Sequence, residues 1–125
     1  MNNDNIIEAF TEMAPNYEEI VNSELTRFWG MSYHEFINTL LKLTPIREGA
    51  KILDIATGTG VIPQKILNEF GSNHQIHGLD ITHSMLINAQ QYFDEKDQRN
   101  LIDFTCATAM EMPYSQKSFD LVFCG

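Results

Sequence analysis

The sequence predicts an α/β fold in which a group of N-terminal helices precedes a parallel sheet. Its central stretch, residues 51–60, begins with a short apolar run typical of a buried strand and ends in a turn that contains Gly58 and Gly60. A helical pattern follows directly from Val61 to Phe70. Strand, glycine turn and helix form the first half of a βαβ nucleotide site, because glycines let the backbone approach a ligand and the helix N-terminus offers unpaired N–H groups.

Composition and charge limit the classes of protein that fit. A chain of 125 residues with 43% hydrophobic residues suits one small globular domain. The formal net charge of -9 argues against a nucleic acid as the main partner. Residues 1–26 contain six acids and no Lys or Arg, so they lack the basic region of a signal peptide, and no apolar run approaches membrane-spanning length. We therefore expect a cytoplasmic protein without membrane insertion.

The N-terminal 48 residues have helical patterns. Apolar spacing predicts a helix from about residue 4 to residue 22, which Pro15 breaks or kinks. Ser32 and Glu35 match a capping box, and an apolar stripe runs from there until Pro45 stops the helix. His34, at the start of this helix, is expected at the surface.

The remaining residues, 49–125, alternate strands with helices. Gly71 is expected to end the helix that begins at Val61, and residues 75–79 predict a second strand that ends at Asp80. An amphipathic helix, a third strand over residues 101–106 and a fourth over residues 119–123 follow. Cys106 and Cys124 have no CxxC spacing and are expected to be reduced core thiols.

The choice of ligand depends on the residues around the glycine turn. A dinucleotide fingerprint requires a third glycine, but Val61, Ile62 and Pro63 follow Gly60. Asp54, in the strand before the turn, would repel a diphosphate and suits a ligand with a cationic end, such as S-adenosylmethionine (SAM). A tight strand-to-helix turn without a ligand is the alternative.

Residues 53–60, Leu-Asp-x-Ala-x-Gly-x-Gly, resemble the first motif of class I SAM-dependent methyltransferases. Residues 10–17 resemble the F-x-x-x-A-P-x-Y element of the ubiquinone/menaquinone C-methyltransferase branch. This resemblance implies that residues 1–48 form a lid and that Tyr17 lies near the carboxylate of the cofactor, although Tyr17 could instead belong to the core. In the first motif it implies cofactor contacts from Asp54, Ala56, Gly58 and Gly60.

Two further segments are similar to signatures of the same family. Asp80 lies about twenty residues beyond the glycine turn, where an acid holds ribose hydroxyls in both NAD and SAM sites. The resemblance implies that Asp80 binds the ribose and that Ile81 packs on the adenine, with Met85 in the same signature; a helix-capping role for Asp80 is the alternative.

The loop over residues 107–114 resembles the third signature, but Thr108 stands where the family usually has an acid for the adenine amino group. Ala109 and Met110 are further adenine contacts that the resemblance implies, although methionines in a loop also serve packing. Asp120, which precedes the fourth strand, is expected to be structural.

The family resemblance implies a Rossmann-like fold with seven strands in the order 3-2-1-4-5-7-6, of which four, in the order 3-2-1-4, are expected here. Since Gly125 follows the fourth strand directly, we expect the cofactor-binding half of a longer enzyme. The fourth strand would then be an unpaired apolar edge, which predicts a homo-oligomer.

The implied reaction moves a methyl group from SAM to a small-molecule acceptor; no general base is identified. A SAM-binding fragment without activity and a NAD-binding oxidoreductase are the alternatives.

Overall fold

The computed structural model describes residues 3–115 and 117–124 of the chain. Gly125, which was expected to follow the fourth strand, lies outside these residues. The described part contains five α-helices, four β-strands and two short 3₁₀ turns at Ala14–Asn16 and Arg99–Leu101. The helices are α1 (Asn3–Met13), α2 (Tyr17–Trp29), α3 (Tyr33–Lys42), α4 (Val61–Phe70) and α5 (His83–Glu95). The strands are β1 (Lys51–Ile55), β2 (Gln75–Asp80), β3 (Ile102–Cys106) and β4 (Leu121–Cys124).

The predicted break at Pro15 is confirmed, because a 3₁₀ turn separates α1 from α2. Helix α2 continues to Trp29, seven residues beyond the predicted end, and stops where Gly30 adopts a φ of +64°. The capping box is also confirmed: Ser32 Oγ accepts the N–H of Glu35, and the Glu35 carboxylate accepts the N–H of Ser32. These caps fix the sharp turn that brings α3 back along α2.

The four strands form one parallel sheet in the predicted order β3-β2-β1-β4. Because the connections through α4 and α5 both lie on one face of the sheet, that face carries the main core. Its centre is apolar throughout, with side chains from α3, α4, α5 and all four strands, among them Ile37, Ile52, Ile66, Ile76, Phe93 and Phe123. Because β1 and β2 are parallel neighbours, their carboxyl ends lie side by side at one edge of the sheet.

The fourth strand begins later than predicted. Residue Phe119 precedes the strand and packs instead against His77 and Tyr114, with ring centroids 5.4 Å and 5.0 Å away. Asp120, between Phe119 and β4, accepts a hydrogen bond from the Lys51 N–H and pairs with Arg47, as its structural role predicted. These contacts fasten the start of β4 to the start of β1.

The two cysteines lie at the surface and not in the core. Cys106 and Cys124 are both exposed, so the prediction of core thiols is wrong. Each is the last residue of an edge strand, Cys106 of β3 and Cys124 of β4, which explains the exposure.

Within residues 3–115 and 117–124, none of the helices has the length and apolar character that crossing a bilayer requires.

Candidate functional site

A cavity of about 660 Å³ lies between the N-terminal helices and the carboxyl ends of β1 and β2. Its polar wall comes from the strand ends and the loops that follow them. Its apolar wall comes from α1, α2 and α3, through Ile6, Phe10, Val21, Leu25, Phe36 and Leu40. The crevice at the ends of parallel strands is where α/β proteins bind ligands, so this cavity is the candidate site.

Asp54 lies at the floor of the cavity. Its side chain is only 2% exposed because β1 is the second strand from the edge and the cavity roof covers its carboxyl end. Asp54 Oδ1 has no hydrogen-bond partner among the described residues, and neither has the neighbouring Thr57 Oγ1. Burial raises the pKa of Asp54 to about 7; the nearby Thr57 hydroxyl opposes this shift, and the charge of Asp80 adds to it.

Asp80 ends β2 and lines the same cavity. Its Oδ2 accepts the N–H of Gly58 at 2.8 Å, and its Oδ1 accepts the N–H of Thr82 at 2.8 Å. The second bond is to the residue that precedes α5 and not to an N–H of the helix, so Asp80 holds the entry into α5 without capping it. Because a carboxylate oxygen can accept more than one hydrogen bond, Asp80 can hold the loop and still contact a ligand.

The glycine turn contains three residues with positive φ. Ala56 has a φ of +59° although it carries a Cβ, and Gly58 has a φ of +58°. A Cβ on Gly58 would lie 3.5 Å from the Tyr17 ring, an ordinary contact, so it is the positive φ that favours glycine here. Both Ala56 and Gly58 line the cavity.

Gly60 serves the fold beneath the turn. It has a φ of +84° at the start of α4, and a Cβ there would meet Phe93 at 3.1 Å and Ala89 at 3.4 Å. The structure therefore places Gly60 against α5, outside the residues that line the cavity.

Two tyrosines face the cavity from the helices. Tyr17 packs against Phe10 with a ring-centroid distance of 6.2 Å, and burial, followed by the charge of Asp80, raises its pKa. Tyr33, at the first turn of α3, also lines the cavity, and burial raises its pKa well above the usual range. Both phenols therefore stay protonated near neutral pH and can donate hydrogen bonds.

The N-terminal helices are fastened to the ligand loops by polar contacts. Thr59 Oγ1 donates to the Glu18 carboxylate at 2.9 Å, which links α2 to the glycine turn. Asn88 Nδ2 donates to the Ala14 carbonyl at 2.8 Å, which links the 3₁₀ turn at Pro15 to α5. The N-terminal helices are therefore held in place over the cavity by contacts with both the glycine turn and α5.

The adenine contacts that the resemblance implied divide into two groups. Ile81, Met85, Thr108 and Ala109 all line the cavity. Met110 is 89% exposed and does not line the cavity; its N–H donates to Thr108 Oγ1. The structure thus gives no support to a Met110 contact. His34 is exposed, as predicted.

Sequence reasoning missed the apolar wall and Tyr33. The α3 side chains that line the cavity, Tyr33, Phe36, Ile37 and Leu40, recur at helical spacing. That stripe was interpreted as cover for the sheet, and Ile37 does pack in the core. The aromatic residues at the N-terminal end of the stripe were the available signal that part of it faces a ligand.

Comparisons with known proteins agree with the sequence motifs. The model of the ubiE/COQ5 methyltransferase family matches residues 1–125. The chain is 33% identical over 115 residues to the ubiquinone/menaquinone biosynthesis C-methyltransferase UbiE of Bartonella bacilliformis, covering 90% of this chain and 42% of that protein. It is 26% identical over 117 residues to a demethylmenaquinone methyltransferase of Listeria welshimeri, covering 94% of this chain and 48% of the relative. The chain thus spans less than half the length of these relatives.

Solved structures show the same architecture. Phosphoethanolamine N-methyltransferase 2 of Haemonchus contortus, in complex with S-adenosyl-L-methionine, is 31% identical with a TM-score of 0.62, over 74% of this chain and 21% of that one. The [4+2]-cyclase SpnF has a TM-score of 0.66 at 23% identity, over 75% of this chain and 34% of that one, which is a likeness of fold alone. With the family model matching the full sequence and the sheet order as expected, the chain belongs to the ubiE/COQ5 methyltransferase family.

Proposed function

We propose that this chain binds SAM in the 660 Å³ cavity and forms the cofactor-binding part of a SAM-dependent methyltransferase. One observation carries the proposal. The cavity has two carboxyl groups, Asp54 and Asp80, and no Lys, Arg or His among its described lining residues. Such a lining favours a ligand with cationic groups and disfavours the diphosphate of a dinucleotide.

The described residues fit the parts of SAM. Asp80 is suited to the ribose hydroxyls, Ile81 and Met85 to the adenine faces, and Thr108 and Ala109 to the adenine edge. The orphaned Asp54 Oδ1 would accept from the cationic amino-acid end, near Ala56 and Gly58, and Tyr17 would donate to its carboxylate. Met110 and Gly60 do not line the cavity, and Gly60 packs against α5 instead.

Bound SAM supplies a methyl group on a positively charged sulfur. The chain contributes by holding the cofactor, excluding water with the roof of α1, α2 and α3, and aligning an acceptor, and alignment of this kind lowers a barrier by up to roughly 7–11 kcal/mol. The apolar wall from Phe10, Val21 and Phe36 suits a small acceptor with an apolar ring. The names of the relatives, which refer to ubiquinone and menaquinone biosynthesis, support the same class of acceptor.

Calorimetry tests the proposal directly. Titration of the chain with S-adenosylhomocysteine (SAH), the demethylated product, should give saturable one-site binding, whereas NADH should give none. Binding of NADH without binding of SAH would support the oxidoreductase alternative and overturn the proposal. The packing variant Gly60→Ala should weaken both stability and binding, because the added Cβ would press on Phe93 and Ala89 of α5 rather than remove a ligand contact.

Because the chain spans under half of its relatives, a SAM-binding part without activity of its own is the second candidate. Transfer of a radiolabelled methyl group from SAM to a quinone precursor distinguishes the two. The apolar wall favours transfer, and binding without transfer would favour the second candidate.

Three further predictions belong to the proposed function. Residues 1–48 act as a helical lid over residues 49–125, since α1–α3 supply the apolar wall.

Strand β4 is an edge strand of the described sheet, and Val122 on it is 51% exposed. An exposed edge strand supports a homo-oligomer formed through this strand. Light scattering at high protein concentration tests it, and a monomer would contradict it. The cytoplasmic location stays a prediction from the sequence.

A further inference from the structure

The two carboxyl groups of the cavity differ in their hydrogen bonds. Asp80 accepts a backbone N–H on each oxygen, from Gly58 and from Thr82. Asp54, on the neighbouring strand, has an Oδ1 without any partner among the described residues and is almost fully buried. A buried carboxyl group that lacks such bonds is costly to ionise, so a negative charge on Asp54 requires a positive partner.

Among the described residues that line the cavity there is no Lys, Arg or His to offset a second negative charge. Asp80 and Tyr33 interact electrostatically with Asp54, Tyr17 and Glu18 interact with Tyr33, and Cys124 of β4 lines the same cavity. None of these side chains is a base, so none can carry a positive charge. The carboxyl group of Asp54 must therefore find its compensating charge in a proton or in a ligand.

We propose that Asp54 holds a proton while the cavity is empty and releases it when the ammonium group of SAM or SAH enters. The ligand ammonium then takes the place of the proton: the O–H bond of Asp54 breaks, the proton passes to solvent, and the carboxylate accepts from the ammonium. The carboxyl group of Asp54 thus has a positive partner in both states, first the proton and then the ammonium. This inference rests on the proposed function and adds that cofactor binding is coupled to the loss of one proton.

The coupling gives a definite pH dependence. Because burial places the pKa of Asp54 near 7, most molecules carry the proton at pH 6.0 and few at pH 7.5. A ligand that requires the carboxylate must displace the proton at the lower pH, so affinity falls as pH falls below the pKa and becomes constant above it. For a pKa of about 7 the expected gain in SAH affinity from pH 6.0 to pH 7.5 is roughly eightfold.

Calorimetry in two buffers measures the proton itself. SAH is titrated into the chain at pH 6.0 in phosphate and in a buffer with a different enthalpy of ionisation, and the difference in heat gives the number of protons released. We expect the release of close to one proton per bound SAH at pH 6.0 and of much less than one at pH 7.5. As a ligand control, 5′-methylthioadenosine carries the adenosine and sulfur but no ammonium, so it should bind with no proton release and little pH dependence.

Two variants assign the proton to one residue. Asp54→Asn keeps the shape of the side chain but cannot ionise, so SAH should bind it without proton release and with equal affinity at pH 6.0 and 7.5. Asp103→Asn, an exposed acid on β3, should behave as the unaltered chain does. Binding of SAH to the unaltered chain at pH 6.0 without proton release would overturn the inference and leave the proposed function intact. Failure of both SAH and 5′-methylthioadenosine to bind at either pH would overturn the proposed function.

Discussion

Asp80 Oδ2 accepts the Gly58 N–H at 2.8 Å, so the end of β2 holds the glycine turn that follows β1. The same carboxylate lines the cavity. A hydrogen bond from a backbone N–H to a charged acceptor is stronger than one to a neutral acceptor. One side chain therefore fixes the loop conformation and presents negative charge to the ligand.

The first prediction concerns this double role. Asp80→Ala should weaken SAH binding tenfold or more, about 1.4 kcal/mol, because it removes a ribose acceptor and frees the Gly58 N–H. Calorimetry at pH 7.5 measures the change. Asp103→Ala, an exposed acid on the neighbouring strand, is the matched control and should bind SAH normally. Unchanged affinity in Asp80→Ala would show that the ribose assignment is wrong.

The second prediction concerns the stability of the empty protein. The pKa of Asp54 is raised from 3.8 to about 7 in the folded state, so unfolding releases a proton between these values. The free energy of unfolding should therefore fall as pH rises through this window and level off above about 7. Between pH 5.5 and 7.5 the loss is at most about 2 kcal/mol.

Asp54→Asn removes this loss, so its stability relative to the unaltered chain should increase from pH 5.5 to pH 7.5. Urea unfolding followed by circular dichroism gives both free energies. Asp103→Asn, the same substitution at an exposed position on β3, is the matched control. Parallel profiles for Asp54→Asn and the unaltered chain would contradict the assignment.

The third prediction has the opposite sign. The Lys51 N–H and, secondarily, Arg47 lower the pKa of Asp120 in the folded state. The stability that this carboxylate contributes is therefore present above the pKa of the unfolded chain and is lost as pH falls through the folded-state pKa. Asp120→Asn should have a lower melting temperature at pH 7, and the difference should shrink as the pH falls through the lowered pKa of Asp120. A difference that persists in acid would mean that the contact does not depend on charge.

The fourth prediction tests the cap of α3. Ser32→Ala removes the acceptor of the Glu35 N–H and should cost about 1 kcal/mol in unfolding free energy. Ser23→Ala, at an exposed position within α2, is the matched control, and it should be neutral or slightly stabilising because alanine favours a helix. Equal effects of the two substitutions would show that the capping box contributes nothing.

Much of the fold could be predicted because its signals are local. Branched apolar residues indicated β1, Gly71 indicated the end of α4, and Pro15 indicated the break before α2. Errors occurred where local signals were weak or ambiguous. Helix α2 continues over residues 23–29, where polar and apolar side chains alternate without a clear stripe, and it ends only at Gly30. Phe119 has strand-like character but is held by two aromatic rings ahead of β4.

The candidate site was predictable only in part. Asp54 and Asp80 lie near the carboxyl ends of neighbouring parallel strands and Gly58 follows the first of them, so their convergence follows from topology. The position of Tyr33 depends on how α3 packs against the sheet, which no local pattern specifies. The direction of Met110 depends on one turn, and its exposure could not be inferred from composition.

The absence of positive side chains among the described lining residues has a consequence for the approach of molecules in solution. Charges act over a Debye length of about 8 Å at physiological ionic strength, so selection begins before a molecule touches the wall. Polyphosphates such as ATP are slowed at the entrance, whereas cations are drawn in. Added salt should reduce this difference in association rates, and a wide cavity can in this way reject abundant nucleotides without a tight steric fit.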